Sequence, residues 1–494
     1  MKEYNFSGTL GYKKRKLTSE VYYSRFSTEL GILSASHVGN LSDLEDALNS
    51  DVPLIIEPFT YEIKNPKQDV THNLIKGSAR LDLSNGSDLS FKYGGQINRR
   101  KEFDRRRGGR EAKPAIDMKL NTHSLDVVYG HRPFGSVAGE VGTAFTFQAN
   151  RNVEGTGVEP LIPYYDQYTA GIFAVEKIVR ARWEVELGAR YDFRYLLVKD
   201  FDAQGNLRRP QYYFNNLSVT AGGAYSISPK VSIRSNLGTA WRQPNVAELF
   251  SRGLHHGAAG IEEGLLVEDG ELVDNVEDAP VIPEKSYKWV TTALFSTDKL
   301  KVEGSFYINW INDFIYLEPS PGEFRLTIRG AFPVYRYQQT DANLTGFDGA
   351  LDWNFAGPWS FDLKGSVLRG WNVTENEYLI WMPADRIETA IHYDQDEFIG
   401  LDDFHLSIGM LTVSRQYKAP TDGDFVEPPA GYSLMNIHTG FTIPTGKNKL
   451  GIYLNVDNLL NTRYRDYLNR FRYYADDIGR NVTLKLRYDF HAHR

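Results

Sequence analysis

The decisive stretch is Asn481-Val482-Thr483-Leu484-Lys485-Leu486-Arg487-Tyr488-Asp489-Phe490. Val482, Leu484, Leu486, Tyr488 and Phe490 fall on one side of an extended chain, and Thr483, Lys485, Arg487 and Asp489 on the other. A strand repeats every two residues, so this segment has one apolar face and one charged face. A soluble sheet would cover the apolar face with a second layer. A membrane β-barrel turns it to lipid and the charged face to a wet interior.

The same alternation recurs upstream. Trp183, Val185, Leu187, Ala189, Tyr191 and Phe193 oppose Arg182, Glu184, Glu186, Arg190, Asp192 and Arg194. Val302, Phe306, Ile308 and Trp310 oppose Glu303, Ser305 and Asn309, and Ile75, Gly77, Ala79, Leu81 and Leu83 oppose Lys76, Ser78, Arg80 and Asp82. A dry β-sandwich or propeller core would have to pair each of these buried charges, whereas a water-filled lumen solvates them. The expectation is therefore an all-β protein, a transmembrane antiparallel β-barrel.

Composition agrees. The 494 residues are 41% hydrophobic, and mean hydropathy is −0.42. No apolar run approaches the length of a membrane-spanning helix. Tyr, Phe and Trp number 30, 27 and 8, enough for aromatic girdles at two membrane interfaces. The absence of cysteine excludes disulfides and thiolate metal sites. A net charge of −7 argues against nucleic acid as a partner. Met1 is followed by a strand pattern with no apolar signal-peptide core, although an exported barrel needs one. Either the chain is soluble or its native N-terminus is missing.

Taken in order, residues 4–12 and 16–30 form a first hairpin about the basic turn Lys13–Lys16. Ser42-Asp43-Leu44-Glu45 has capping-box spacing and predicts a helical turn or two. Short turns are expected near Asn85-Gly86, Ser228-Pro229, Thr297-Asp298, Gly357-Pro358 and Thr445-Gly446. Long loops are expected at 31–70, 99–113, 196–210, 241–284, 372–384, 417–429 and 460–479. Short and long connections alternate, as periplasmic turns and extracellular loops do. The count is roughly nineteen strands, with the first and last both descending. An odd count leaves an open seam, which lipid does not tolerate, so the barrel is expected to lack its beginning.

Several stretches carry a family resemblance. Gly238-Thr239-Ala240-Trp241-Arg242-Gln243-Pro244-Asn245-Val246-Ala247-Glu248-Leu249-Phe250 resembles the Arg-x-Pro…Glu-Leu stretch of TonB-dependent outer-membrane receptors. Gly253-Leu254-His255-His256-Gly257 and Pro283-Glu284-Lys285-Ser286 follow it. Thr345-Gly346-Phe347-Asp348-Gly349 is similar to their Gly-Phe/Val-Glu strand, with Asp348 for the usual Glu. Val456-Asp457-Asn458-Leu459-Leu460-Asn461-Thr462-Arg463-Tyr464, Gly479-Arg480-Asn481 and the terminal strand complete the likeness.

The resemblance implies a barrel of twenty-two strands around an N-terminal plug whose short segment contacts TonB. Residues 1–490 would be the barrel, short of about three strands, with the plug absent and 491–494 a tail. Phe490 would be the aromatic read by the assembly machinery, although His491-Ala492-His493-Arg494 follow it. The implied function is active import of a scarce ligand. A ferric siderophore or other iron complex comes first, with cobalamin, haem, other chelates and glycans behind it. Implied partners are outer-membrane lipid and lipopolysaccharide, the TonB complex through the missing plug, and a small metal chelate. No cofactor is called for. The alternative is a passive porin or surface adhesin. A third class, an outer-membrane protease or lipase, finds no support, since G-x-S-x-G, H-E-x-x-H and P-loop patterns are lacking.

Candidate ligand contacts are few. Arg99, Arg100, Lys101, Arg105, Arg106, Arg107 and Arg110 could form an electropositive funnel for an anionic chelate, or pair with Glu102, Asp104 and lipid phosphates. His255 and His256 could touch a metal-bearing ligand, but adjacent residues in a strand face opposite ways. The acidic stretch Glu262–Asp278 lacks EF-hand spacing and reads as a solvated loop. Arg242, Pro244, Glu248, Gly346, Asp348, Asn458, Gly479 and Arg480 read as structural, with Pro244 fixing a strand end and Glu248 a buried acceptor.

Overall fold

A computed structural model describes the chain except residues 37–39, 51, 55, 57–59, 106–110, 203, 256–257, 328–329 and 491–494. Among the described residues, nineteen strands of nine residues or more make one wall. They are β1 (Lys2–Lys14), β2 (Leu17–Gly31), β3 (Lys67–Asp82), β4 (Asp88–Phe103), β5 (Ile116–Gly130), β6 (Val137–Asn152) and β7 (Tyr164–Val179). There follow β8 (Trp183–Phe201), β9 (Gln211–Ser228), β10 (Val231–Arg242), β11 (Glu284–Ser296), β12 (Leu300–Thr327) and β13 (Gly330–Ala356). The last are β14 (Trp359–Asn372), β15 (Arg386–Phe398), β16 (Leu401–Val413), β17 (Tyr432–Thr445), β18 (Asn448–Asp457) and β19 (Asn481–Asp489). Each pairs antiparallel with its neighbour in sequence. The fold is the transmembrane β-barrel wall that the alternation predicts.

Register shows why this wall fits a bilayer. Tyr195 stands opposite Tyr168 and Tyr213, Tyr168 opposite Phe147, and Phe147 opposite His123. Their rings form a belt, with centroids 4.9 to 6.4 Å apart from His123 through Tyr213. Twelve residues away on β8 is Trp183, opposite Tyr225 of β9. At ~3.3 Å per residue and a tilt of ~45°, the two aromatic levels stand about 28 Å apart, close to an apolar band of ~25 Å. Between them Leu187, Leu217, Val219 and Ile172 are exposed on the outward face. On the inward face the Arg190 guanidinium binds Asp192 at 2.8 and 2.9 Å, and His392 and His438 hydrogen bond Asp362 and Asp457, each at 3.0 Å.

The five expected short turns all lie at one end, between β3 and β4, β9 and β10, β11 and β12, β13 and β14, and β17 and β18. At the other end several strands outrun the expected loops. Pairing continues to Lys67–Phe103 between β3 and β4, and β8 extends to Phe201. Arg99 and Arg100 therefore belong to β4 rather than to a loop, because ladder hydrogen bonding carries on above the membrane. The helix α1 (Leu41–Asn49) is capped by Asn40, whose side chain accepts from the Asp43 amide, rather than by Ser42.

The two end strands run the same way. β1 pairs with β2, β19 with β18, and among the described residues no ladder joins β1 to β19. Every residue of β1 is exposed, and every residue of β19 except Asp489. Among the described residues the terminal strand has β18 as its ladder partner.

Candidate functional site

The long loops fold over the wall into a cap. It starts where β10 ends. Arg242 donates to Glu248 at 2.8 and 3.0 Å and lies 2.9 Å from Glu284 at the start of β11. The Asn245 side chain accepts from the Glu248 amide, and Glu248 accepts from the Asn245 amide, a complete capping box that starts the short helix α2 (Val246–Phe250). Val246, Leu249 and Phe250 then bury against Leu196, Val198, Tyr212 and Phe214 on β8 and β9. Those four alternate with the outward Tyr195 and Tyr213, so the loop packs on the inner side of the mouth. Arg242, Pro244 and Glu248 hold this geometry.

The tip of the β12–β13 hairpin is the second part. Residues 334–336 pair parallel with 261–263 of the preceding loop. Glu263 receives Arg325 at 2.6 Å and Arg336 at 2.9 Å, and Arg336 also holds Glu323. Glu262 lies 3.0 Å from the His255 ring and accepts from Arg470 at 3.1 Å, and the Arg470 guanidinium stacks 4.2 Å over Tyr335. Burial pushes the Glu262 carboxyl up, but the hydrogen bonds from His255 and Arg470 outweigh it and hold the group below its ordinary range. Burial raises the Tyr335 phenol to about 12.

A third cluster completes the cap. Arg472, 2% exposed, pairs with Asp424. Asp424 also accepts from the Tyr473 hydroxyl at 2.5 Å, the Trp381 indole at 3.2 Å and the Phe425 amide at 2.8 Å. Beside it Ala35, Leu44 and Ala47 bury against Ala259, Ala331, Tyr473 and Tyr474. The first and last long loops thus meet.

A cavity of about 510 Å³ opens against this cap, lined by Ser50, Tyr432, Tyr464, Arg463, Arg465, Arg472 and Asp476 among others. A smaller one of about 190 Å³ shares Tyr432 and Arg465 and reaches Arg386 and Gln416. Arg463 and Arg465 each donate to Asp476 at 2.9 Å, and they hold its carboxyl below the usual range against the opposing pull of burial. Tyr432 and Tyr464 present rings 4.5 Å apart. The chemistry offered is several guanidiniums and aromatic faces around one carboxylate, which suits a compact anion with a planar or conjugated part. Among the described residues no His, Cys, Asp or Glu cluster has the geometry to hold a metal ion.

Of the expected basic run, Arg99 and Arg100 leave β4 on opposite faces. Arg99 binds Asp117 at 2.9 and 2.8 Å on the outward face. Arg100 turns the other way and pairs with Glu102, and Arg105 reaches the Asn65 carbonyl at 3.5 Å. Arg106, Arg107, Arg110 and His256 lie outside the described residues. His255 is committed to Glu262 inside the cap. Gly346 leaves room for the Tyr307 ring on the neighbouring strand. Asp348 accepts from Ser366 at 2.6 Å. Asn458, at φ 50°, bonds both the amide and the carbonyl of Thr462, and Asn461 accepts from the Arg480 amide where a side chain at Gly479 would collide with it. Phe490 is exposed and packs on Tyr488. Sequence reasoning missed Arg465, Arg470, Arg472, Tyr473 and Asp424. The run Arg470-Phe471-Arg472-Tyr473-Tyr474, dense in arginine and aromatics within a loop, was the available signal.

Comparison with known proteins converges on one family. A family model described as "TonB dependent receptor-like, beta-barrel" matches residues 4–459. TonB-dependent heme receptor A of Haemophilus influenzae (strain 86-028NP) is 23% identical over 363 residues, covering 66% of this chain and 46% of that protein. The pesticin receptor of Yersinia enterocolitica is 23% identical over 217 residues, 43% of this chain and 30% of that one. The chain thus spans about half the length, or less, of the curated relatives it matches. Among solved structures, the copper transporter OprC superposes with a TM-score of 0.73 at 15% identity, covering 99% of this chain and 74% of that one. The ferric yersiniabactin uptake receptor FyuA of Yersinia pestis gives 0.67 at 14%, covering 99% and 70%.

Proposed function

The chain belongs to the TonB-dependent receptor β-barrel family, and from that premise we propose that it forms the wall and mouth of an outer-membrane receptor importing a scarce metal chelate. A ferric siderophore or another iron complex is the ligand class we assign, with transport energised through TonB. The plug that contacts TonB in this family is not contained in residues 1–494, so its coupling role is assigned outside them. The long-loop end is then extracellular and the short-turn end periplasmic.

The observation that carries the ligand class is the mouth cavity. Arg463, Arg465 and Arg472 line it together with the aromatic pair Tyr432 and Tyr464. Ferric chelates are commonly anionic and often conjugated, and guanidiniums with ring faces recognise both properties. Relatives named for haem and for ferric yersiniabactin extend the choice from planar to branched iron complexes. Binding needs no covalent step.

The test is equilibrium binding of a panel of ferric chelates and their iron-free forms, followed by Trp fluorescence. One ferric complex should bind, and Arg465→Ala should weaken it at least ~10-fold, as loss of a charge-assisted contact implies. Indifference of every chelate to Arg465 would remove this cavity as the site. Single-channel conductance separates the porin alternative: a large, constant conductance contradicts a gated receptor.

A further inference from the structure

A further cavity, of about 270 Å³, lies at the long-loop ends of β5, β6 and β8 and shares no lining residue with the two at the mouth. The β6–β7 connection, residues 153–163, supplies most of its lining. Gly155 and Gly157, at φ 96° and 67°, let this short loop turn back on itself. Its stems are tied together: the Asn152 and Asn150 side chains donate to the Ile162 and Pro163 carbonyls at 2.9 and 3.0 Å, and the Tyr164 hydroxyl donates to the Asn152 carbonyl at 3.0 Å. Ile116, Val153, Val158, Leu161 and Phe201 make apolar walls. Among the described residues no Lys, Arg or His lines the cavity, whereas Asp117, Glu154, Glu159 and Asp200 all do.

Two guanidiniums answer these four carboxylates. Arg99 takes Asp117 with two hydrogen bonds. Arg252 spreads one nitrogen, Nη2, over Glu159, the Phe201 carbonyl at 2.6 Å and Asp200 at 3.4 Å. Among the described residues Glu154 has no partner. Asp200 is 8% exposed and lines the cavity. Its Oδ1 accepts from the Phe201 amide at 2.9 Å and from Arg252, but among the described residues no donor reaches Oδ2. Burial pushes the Asp200 carboxyl up by more than Arg252 draws it down. A buried acceptor on a cavity wall, short of donors, calls for a cation from outside the chain.

We propose that this cavity binds a compact primary alkylammonium, which donates to Asp200 Oδ2 and Glu154 and lays its stem along Ile116, Val158 and Leu161. The donor set selects that class. A hard metal ion asks for six or more converging oxygens, and among the described residues no metal-holding cluster exists. A quaternary ammonium has no N–H for the carboxylates to accept, whereas an alkylammonium has three on an apolar stem. The space equals about nine water volumes of ~30 Å³, enough for a stem of roughly five carbons. The inference depends on neither the chelate nor TonB.

The experiment titrates the full chain, folded in detergent micelles, with n-pentylammonium, pentyltrimethylammonium, n-pentanol and calcium, read by calorimetry. Pentylammonium should bind one-to-one, and the other three at least ~10-fold more weakly. Glu154→Gln breaks no contact among the described residues and should weaken pentylammonium roughly tenfold, as loss of a charge-assisted hydrogen bond implies. Asp200→Asn should do the same, with heat-modifiable gel mobility verifying that it is folded, and Glu45→Gln on α1 is the unaffected control. Amide exchange at 153–163 should slow when pentylammonium is present. Absence of saturable binding, equal binding of the alcohol or the quaternary amine, calcium binding in pentylammonium's place, or indifference to Glu154→Gln would each overturn the proposal. The presence or absence of chelate binding bears on none of these outcomes.

Discussion

Replacing Arg472 by Met should open the cap while leaving the wall intact. Arg472 is 2% exposed and neutralises Asp424, whose side chain is 8% exposed. Removing one partner of a buried pair typically costs about 3–5 kcal/mol, because the other charge stays buried. Asp424 keeps three donors, from Tyr473, Trp381 and Phe425, so the low end applies. About 3 kcal/mol corresponds to ~150-fold more frequent local opening. Methionine preserves most of the side-chain volume against Tyr467 and Tyr473, which limits any cavity contribution. Amide hydrogen exchange followed by mass spectrometry should show that loss of protection in residues 420–428 and 467–475, with β14 to β17 unchanged. Asp424→Asn in the same chain should restore much of it, since no charge is then left unpaired. Unchanged protection in the cap, or an equal loss in the strands, would refute the view that this pair holds the loops.

Other consequences follow from the same geometry. Ala189→Arg, outward and midway between the two aromatic levels, should cost ~2–4 kcal/mol in urea unfolding from lipid vesicles, and Thr220→Arg on the inward face far less. Gly346→Ala places a methyl against the Tyr307 ring and should lower stability by ~1–3 kcal/mol, recovered when Tyr307 is also made Ser. Glu262 is held below its ordinary value of 4.5, so folding favours its charged form. Its contribution to the cap should be complete above about pH 4.5 and lost as pH falls through the lower folded value, seen as acid-induced exchange at 260–263 that Glu262→Gln shows already at neutral pH.

The wall was legible and the cap was not, for a physical reason. Alternation at 183–193 and 481–490 is a local property, and each strand displays it without reference to any other. Turns such as Asn85-Gly86 and Thr445-Gly446 are local too. The cap is built from Glu262, Trp381, Asp424, Arg470 and Arg472, which come from four loops, and the Arg470–Glu262 bond alone spans 208 positions. No period in the chain announces such a contact. The basic run from Arg99 shows a related effect. Its charges are neighbours in sequence, but a strand sends Arg99 and Arg100 to opposite sides, one to Asp117 and one to Glu102. Arg242 and Glu248 were legible as structural through the resemblance of residues 238–250 to the Arg-x-Pro…Glu-Leu stretch, and they meet in an ion pair.

The meeting of the first and last long loops also constrains the order of assembly. Arg465 donates to the Ser50 carbonyl at 3.3 Å across 415 positions, and α1 packs on Tyr473 and Tyr474. The antiparallel ladders between the nineteen wall strands all join sequence neighbours, so the wall can zip progressively, whereas this contact must wait until both ends of the wall are in place. The cap is therefore a late event in folding, and its closure reports that the first and last strands described here are both in place. A chain stalled with its last strands undocked would display Ala35, Leu44, Tyr473 and Tyr474 to solvent, an apolar mark by which quality control could tell unfinished molecules from finished ones.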